Sequence, residues 1–231
     1  MLRDSWQRAK TNRPNRYGES TGDHRSRRTQ RRRQDHLVPS QMTNESVVEE
    51  FVAEYQPTGF EPDGTNLEVQ ASYWTTVNSK RWSQAEDLEA RTGIALCDSD
   101  PLKLHYSWCL AAVGAAPRER FEYELAAVET AFEHLELVFA DLTVISIPSP
   151  EQLLLQREGD PSRRRRHFEL HAALAEPLTH WYSAVNRVDP ARVVWRFPTQ
   201  LDLSRCPPPR SDRSDPGLLR AMINELPPLT R

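Results

Sequence analysis

The sequence predicts a helix-dominated α+β body with a small sheet of about four short strands, preceded by a disordered basic N-terminal arm. Three observations carry this expectation. An apolar stripe runs at helical spacing through residues 118–140 (Phe121, Leu125, Val128, Phe132, Leu135, Phe139), with steps of three and four that keep one face against a core. Short alternating or β-branched runs recur at 67–74, 94–97, 142–147 and 193–197, the length and composition of strands. Residues 1–41 hold only Met1, Leu2, Trp6, Ala9, Tyr17, Leu37 and Val38 as apolar positions, too few to offset the entropy of ordering them. The domain organisation that follows is an arm at 1–41, a body at 42–198, a linker at 199–214 and a C-terminal helix and tail at 215–231.

Along the chain, Thr43-Asn44-Glu45-Ser46 opens a helix expected at 46–55. Leu67, Val69, Ala71 and Tyr73 alternate with polar neighbours, which reads as a strand with one wet face. A helix at 82–92 ends at Gly93, the residue best suited to a left-handed C-terminal cap. Asp-Pro pairs punctuate the rest. Asp accepts hydrogen bonds from a helix's first free amides, and Pro fits the first helical position, whose N–H has no partner. Asp100-Pro101, Asp160-Pro161 and Asp215-Pro216 therefore open helices at 101–113, 161–187 and 216–226. Pro177 kinks or splits the second of these. Asp189-Pro190 instead starts a turn before the strand Val193–Phe197. Ser149 and Gln152 form a capping box ahead of a helix at 150–157. Cys206-Pro207-Pro208-Pro209 and the polar run behind it read as a surface linker.

Charge is divided unevenly. Residues 1–36 carry ten Arg and one Lys against Asp4, Glu19, Asp23 and Asp35, a net of +7. The whole chain is −3, so the remainder carries −10. Within the arm, Arg25, Arg27, Arg28, Arg31, Arg32 and Arg33 place six guanidinium groups in nine residues. Each can displace a counterion from a phosphate chain, which gives sequence-blind, salt-sensitive attraction to nucleic acid. Met42 precedes the first foldable segment, so translation from Met42 would yield an acidic chain without this arm. No run of 18 apolar residues is present, and the N-terminus has no apolar stretch of the secretory kind. Three widely spaced cysteines, Cys97, Cys109 and Cys206, read as reduced thiols of an intracellular protein, cytoplasmic or, in a nucleated host, nuclear.

Several constellations are candidate sites. Arg163, Arg164, Arg165 and Arg166 fall at the expected start of a helix, where the dipole disfavours cations and anions are needed. They are read as a second phosphate contact, or as partners for Glu122, Glu129, Glu133 and Glu136 of the long helix. His167 and His171 share a helical face at the spacing of a metal-binding pair, but Glu169 lies on the far side, His180 is out of phase, and a third ligand would have to come from His134, His105 or an acid. Pro62-Asp63 followed by Glu68-Val-Gln70 is similar to the Pro-Asp…Glu-x-Lys cradle of many nucleases, which would make Asp63 and Glu68 magnesium ligands. Gln70 replaces the lysine, and Asp63-Gly64 is a good turn in its own right. Ser83–Ile94 resembles the start of a helix-turn-helix, with Asp100-Pro101 falling where its second helix would run.

No glycine-rich phosphate loop and no nucleophile motif is present. The expected function is therefore that of a non-enzymatic accessory or regulatory protein holding nucleic acid through its arm, with no cofactor and no membrane partner. Two alternatives stand beside it. One is a protein-interaction module whose Glu129, Glu133 and Glu136 face takes a basic partner. The other is a metal-dependent enzyme acting on nucleic acid.

Overall fold

The computed structural model describes residues 47–48, 66–149, 151–152, 168–195 and 207–229. The described part is helix-rich with four short strands, as expected, but the strands form two separate parallel pairs instead of one small sheet. Strand β1 (Val47–Val48) pairs with β2 (Leu96–Cys97), and β3 (Thr143–Ile145) pairs with β4 (Val193–Trp195). Parallel partners cannot be joined by a tight turn and need a crossover. Helix α1 (Leu67–Thr92) spans the first crossover. Helices α4 (Phe168–Ala173) and α5 (Ala175–Val188) lie in the second. Between the two units run α2 (Leu104–Ala112) and α3 (Arg118–Glu133), and α6 (Pro216–Asn224) closes the described chain.

Two expectations about the N-terminal half are corrected. Val47 and Val48 are strand residues, whereas a helix was expected over 46–55; residues 49–55 lie outside the described residues. The strand expected at 67–74 is the start of the 26-residue α1. The alternation there is a coincidence of spacing, because Val69 is 55% exposed. What buries is a helical set: Gln70, Ala71, Tyr73, Val77, Asn78, Arg81, Trp82, Ala85 and Leu88. Asn66 starts the helix by accepting the Glu68 N–H at 2.8 Å. Gly93 ends it in the left-handed region (φ 81), donating its N–H to the Glu89 carbonyl at 2.7 Å, the cap its position implied.

Helix α2 begins at Leu104, not at Pro101. Asp100 takes the Leu102 N–H at 2.9 Å and closes a turn, and Lys103 has a positive φ of 57° that blocks helical continuation upstream. Leu104, His105, Ser107, Trp108, Cys109 and Leu110 are all buried, so α2 is enclosed on nearly every side. It packs on α3 and α5. Trp181 of α5 stands at the junction, with ring centroids 6.1 Å from Trp108 and 6.4 Å from Phe121.

The stripe of 118–140 was expected to be one helix, and it is not. Helix α3 stops at Glu133, and Leu135 takes φ 60 with 62% of its surface exposed. The Glu136 N–H reaches back to the Ala131 carbonyl at 2.8 Å and the Leu135 N–H to Phe132 at 3.1 Å, a Schellman turn with leucine where glycine usually sits. Beyond it Leu137, Val138 and Phe139 turn inward and are buried. Left-handed backbone costs a residue with a Cβ roughly 1–2 kcal/mol. Glycine regains part of that and loses some to unfolded-state entropy. Leu135→Gly is therefore expected to stabilise the fold by about 0.5–1 kcal/mol, read as a raised urea midpoint; a lowered midpoint would show that the turn carries no strain.

Other local signals hold. Asp215 caps α6 by accepting the Gly217 N–H at 2.7 Å, with Pro216 at the first position. Ser149 and Gln152 exchange the two bonds of a capping box, at 3.0 and 3.2 Å. The helix expected over 161–187 is divided at Leu174. Pro177 then lies in the first turn of α5, where a missing N–H costs least. Residues 161–167 lie outside the described residues. No described helix is long and apolar enough to cross a membrane.

Candidate functional site

Most residues singled out from the sequence fall where the structure gives no description. Arg25, Arg27, Arg28, Arg31, Arg32, Arg33, Arg163, Arg164, Arg165, Arg166, His167 and Asp63 lie outside the described residues. His171 belongs to α4, and Glu68 is an exposed residue of the first turn of α1. Among the described residues no three His, Cys, Asp or Glu side chains are grouped to hold a metal ion. The helix-turn-helix reading is corrected. Residues 93–103, including β2, separate α1 from α2, too long a connection for a DNA-reading pair joined by a tight turn.

The acidic face of α3 is partly neutralised from within. Glu122 takes Arg118 Nε at 2.7 Å and Glu124 takes Arg120 Nε at 3.0 Å, both one turn away. Glu129 lies 3.7 Å from Arg220 of α6. Glu133, Leu135 and Glu136 stay exposed at the Schellman turn.

The densest charge cluster involves the stretch read as linker. Of residues 199–214, those from 207 on are described, and they are tied to the body by ion pairs. Arg192, 1% exposed, donates to Asp189 Oδ2 (3.0 Å), the Ala140 carbonyl (2.7 Å) and Asp212 Oδ1 (2.9 Å). Arg210 bonds both oxygens of Asp212, at 3.1 and 3.0 Å, and Asp189 at 2.5 Å. Arg213 grips Glu89 of α1 through two parallel bonds of 2.8 and 2.7 Å, and Asp141 through Nε at 2.6 Å and through Nη2. Forked geometry of this kind favours arginine over lysine. The Arg210 and Arg192 guanidinium groups hold the Asp212 carboxyl down at about 2. The same carboxylates push Arg210 and Arg213 above the usual arginine range. Trp82 lies against Arg213 (5.8 Å) and Phe139 against Arg192 (5.2 Å), which adds a cation–π contact to each. Four carboxylates thus meet three guanidinium groups. The alternating charges of Arg210-Ser-Asp212-Arg213 hinted at such pairing, but Glu89 and Asp141 lie too far away in the chain to be named from it.

A second polar knot sits in the core, beneath the loop that follows β2. Ser99 (φ 115) and Lys103 (φ 57) are both in the left-handed region, an arrangement that surrounding contacts must hold in place. Asp100 accepts the Tyr182 hydroxyl at 3.2 Å. His105 Nδ1 stands 3.9 Å from the same carboxylate, beyond hydrogen-bond reach, and is buried without a hydrogen-bond partner. Burial, helped by the Lys103 charge, lowers His105 to about 3 and keeps it neutral. Burial raises Asp100 and lifts the Cys97 thiol to about 11. Cys109 is raised by the same cause. Both thiols therefore remain protonated, which removes them as nucleophiles near neutral pH. The knot is largely buried: His105 is 5% and Tyr182 3% exposed, and the Asp100 side chain 12%.

Phe139, Val185, Val188, Asp189, Arg192, Leu218 and Met222 meet under α6 with no space between them for a water-sized molecule. Comparison with protein-family models, with curated proteins and with solved structures finds no match.

Proposed function

We propose that this chain is a non-enzymatic accessory protein that associates with nucleic acid through Arg25, Arg27, Arg28, Arg31, Arg32 and Arg33. Arg163–Arg166 serve as a second contact in this reading. The observation that carries it is the imbalance of charge: +7 in residues 1–36 against −10 in the rest. The way arginines are used in the body supports it. Arg118, Arg120, Arg187, Arg192, Arg210 and Arg213 each hydrogen-bond a carboxylate of the same chain. The arm has four acids for its eleven cations, so its surplus needs anions from elsewhere. Phosphate is the polyanion met in the cytoplasm, or in the nucleus of a host that has one.

Binding of a labelled mixed-sequence oligonucleotide, followed by anisotropy across a salt series, tests the reading. The full chain should lose affinity as salt rises, with a log–log slope of about −0.7 to −0.9 per phosphate contact. Changing the six arm arginines to Gln in the full chain should abolish most of the affinity, as should deleting residues 1–41. Undiminished binding by either variant, or binding indifferent to salt, would remove the proposal.

A protein-interaction role is favoured by one specific observation: Leu135 is exposed between Glu133 and Glu136. An apolar residue rimmed by acids suits a basic partner segment. Reversing Glu129, Glu133 and Glu136 to Lys should release such a partner; unchanged co-purifying proteins would count against this second reading.

A further inference from the structure

We propose that residues 207–229 form a releasable clasp. The ion-paired segment and α6 open together from a helix-binding groove between α3 and α5, while the remaining described helices stay packed.

The attachments of this segment differ in kind from those of the core. Among the described residues, its backbone tie to the body is the Phe139 N–H donating to the Arg213 carbonyl at 2.9 Å. The Arg210 N–H is held by the Asp141 carboxylate at 2.9 Å. Otherwise the segment before α6 is fastened through side-chain charges to Glu89, Asp141, Asp189 and Arg192. Helix α6 itself sinks two side chains fully, Leu219 and Met222. Its rim pairs, Arg187 with Glu225 at 2.7 Å and Arg220 with Glu129 at 3.7 Å, are largely in solvent. By contrast α2, α3 and α5 interlock through Trp108, Phe121 and Trp181. Leu218, Ile223, Leu226 and Leu229 are only half-buried against the core, and an element held by two sunken side chains, half-buried neighbours and ionic ties opens sub-globally before helices that interlock through buried aromatics.

The chain's own helix is the occupant of this groove. Phe139, Val185 and Val188 form its floor, and Asp141, Asp189 and Glu129 line its margin. The chemistry it accepts is an amphipathic helix with arginines at its edges, as the clasp shows with Arg213 ahead of α6 and Arg220 on it.

Hydrogen exchange of the full chain, read by mass spectrometry, tests the clasp in wild type, Arg213→Gln and Glu225→Gln. In Arg213→Gln the amides of 218–225 should exchange at least about tenfold faster, a loss within reach of one buried ionic tie. In Glu225→Gln the same amides should exchange about two- to fivefold faster, matching the loss of one surface pair. Amides of 77–88 and 178–187 should keep their wild-type rates in both. Equal acceleration across every helix would show one cooperative unit and overturn the proposal, as would unchanged exchange in α6. Should Arg213→Gln fail to fold, the Glu225→Gln result decides alone.

Discussion

Trp181→Ala is expected to cost about 3–5 kcal/mol, the range for removing a large aromatic from a packed interior. The indole is 1% exposed and stands among rings from two other helices: Trp108 and His105 of α2 and Phe121 of α3. These neighbours are themselves held by other contacts, so the site cannot collapse to fill the void. Against a total stability of roughly 5–15 kcal/mol for a domain, such a loss lowers the urea midpoint sharply while leaving the slope unchanged. Urea titration followed by circular dichroism measures both. A loss below about 1 kcal/mol would mean that the centre of the core lies elsewhere.

Acidification is expected to unfold the protein through His105, by a route the surface carboxylates do not share. Its folded pKa of about 3 lies below the ordinary 6.5, and the leading cause is burial, followed by the Lys103 charge. Between these two values the unfolded chain binds a proton that the folded chain refuses. Stability is then fully present above about 6.5 and is lost as pH falls towards 3, with a slope of about 1.4 kcal/mol per pH unit. The groups facing the imidazole are Asp100 and Lys103 from the preceding loop and Tyr182 from α5. Asp100 is shifted the other way, raised by burial from 3.8, so its folded form takes up a proton more readily and flattens the acid end of the curve. His105→Leu should shallow the pH dependence between 6 and 4.5 by nearly one proton. Parallel curves for the two proteins would show that the imidazole is already charged or solvated in the fold.

Signals satisfied within four residues were legible in the sequence. Asp215 with Pro216, Gly93 after Thr92, and Ser149 with Gln152 each complete a helix end using atoms next to it. The β-branched runs Thr143–Ile145 and Val193–Trp195 are strands in their expected places. The failures have equally specific causes. Leu67–Tyr73 alternates in polarity, yet Asn66 supplies a helix start and a buried partner surface selects the 3.6-residue period. Leu135 and Phe139 continue the apolar rhythm of α3, but Phe139 is needed against Arg192 and Phe132, which the chain reaches by turning rather than by coiling on.

Charge shows the same division. Composition along the chain establishes that cations gather in residues 1–36 and acids in the body, because net charge is a sum that no folding alters. Which arginine meets which carboxylate is another matter. Arg213 finds Glu89 across 124 positions and Asp141 across 72, and Tyr182 finds Asp100 across 82. Those pairings exist because helix packing sets the distances, and electrostatic attraction acts through space with no regard for order along the chain.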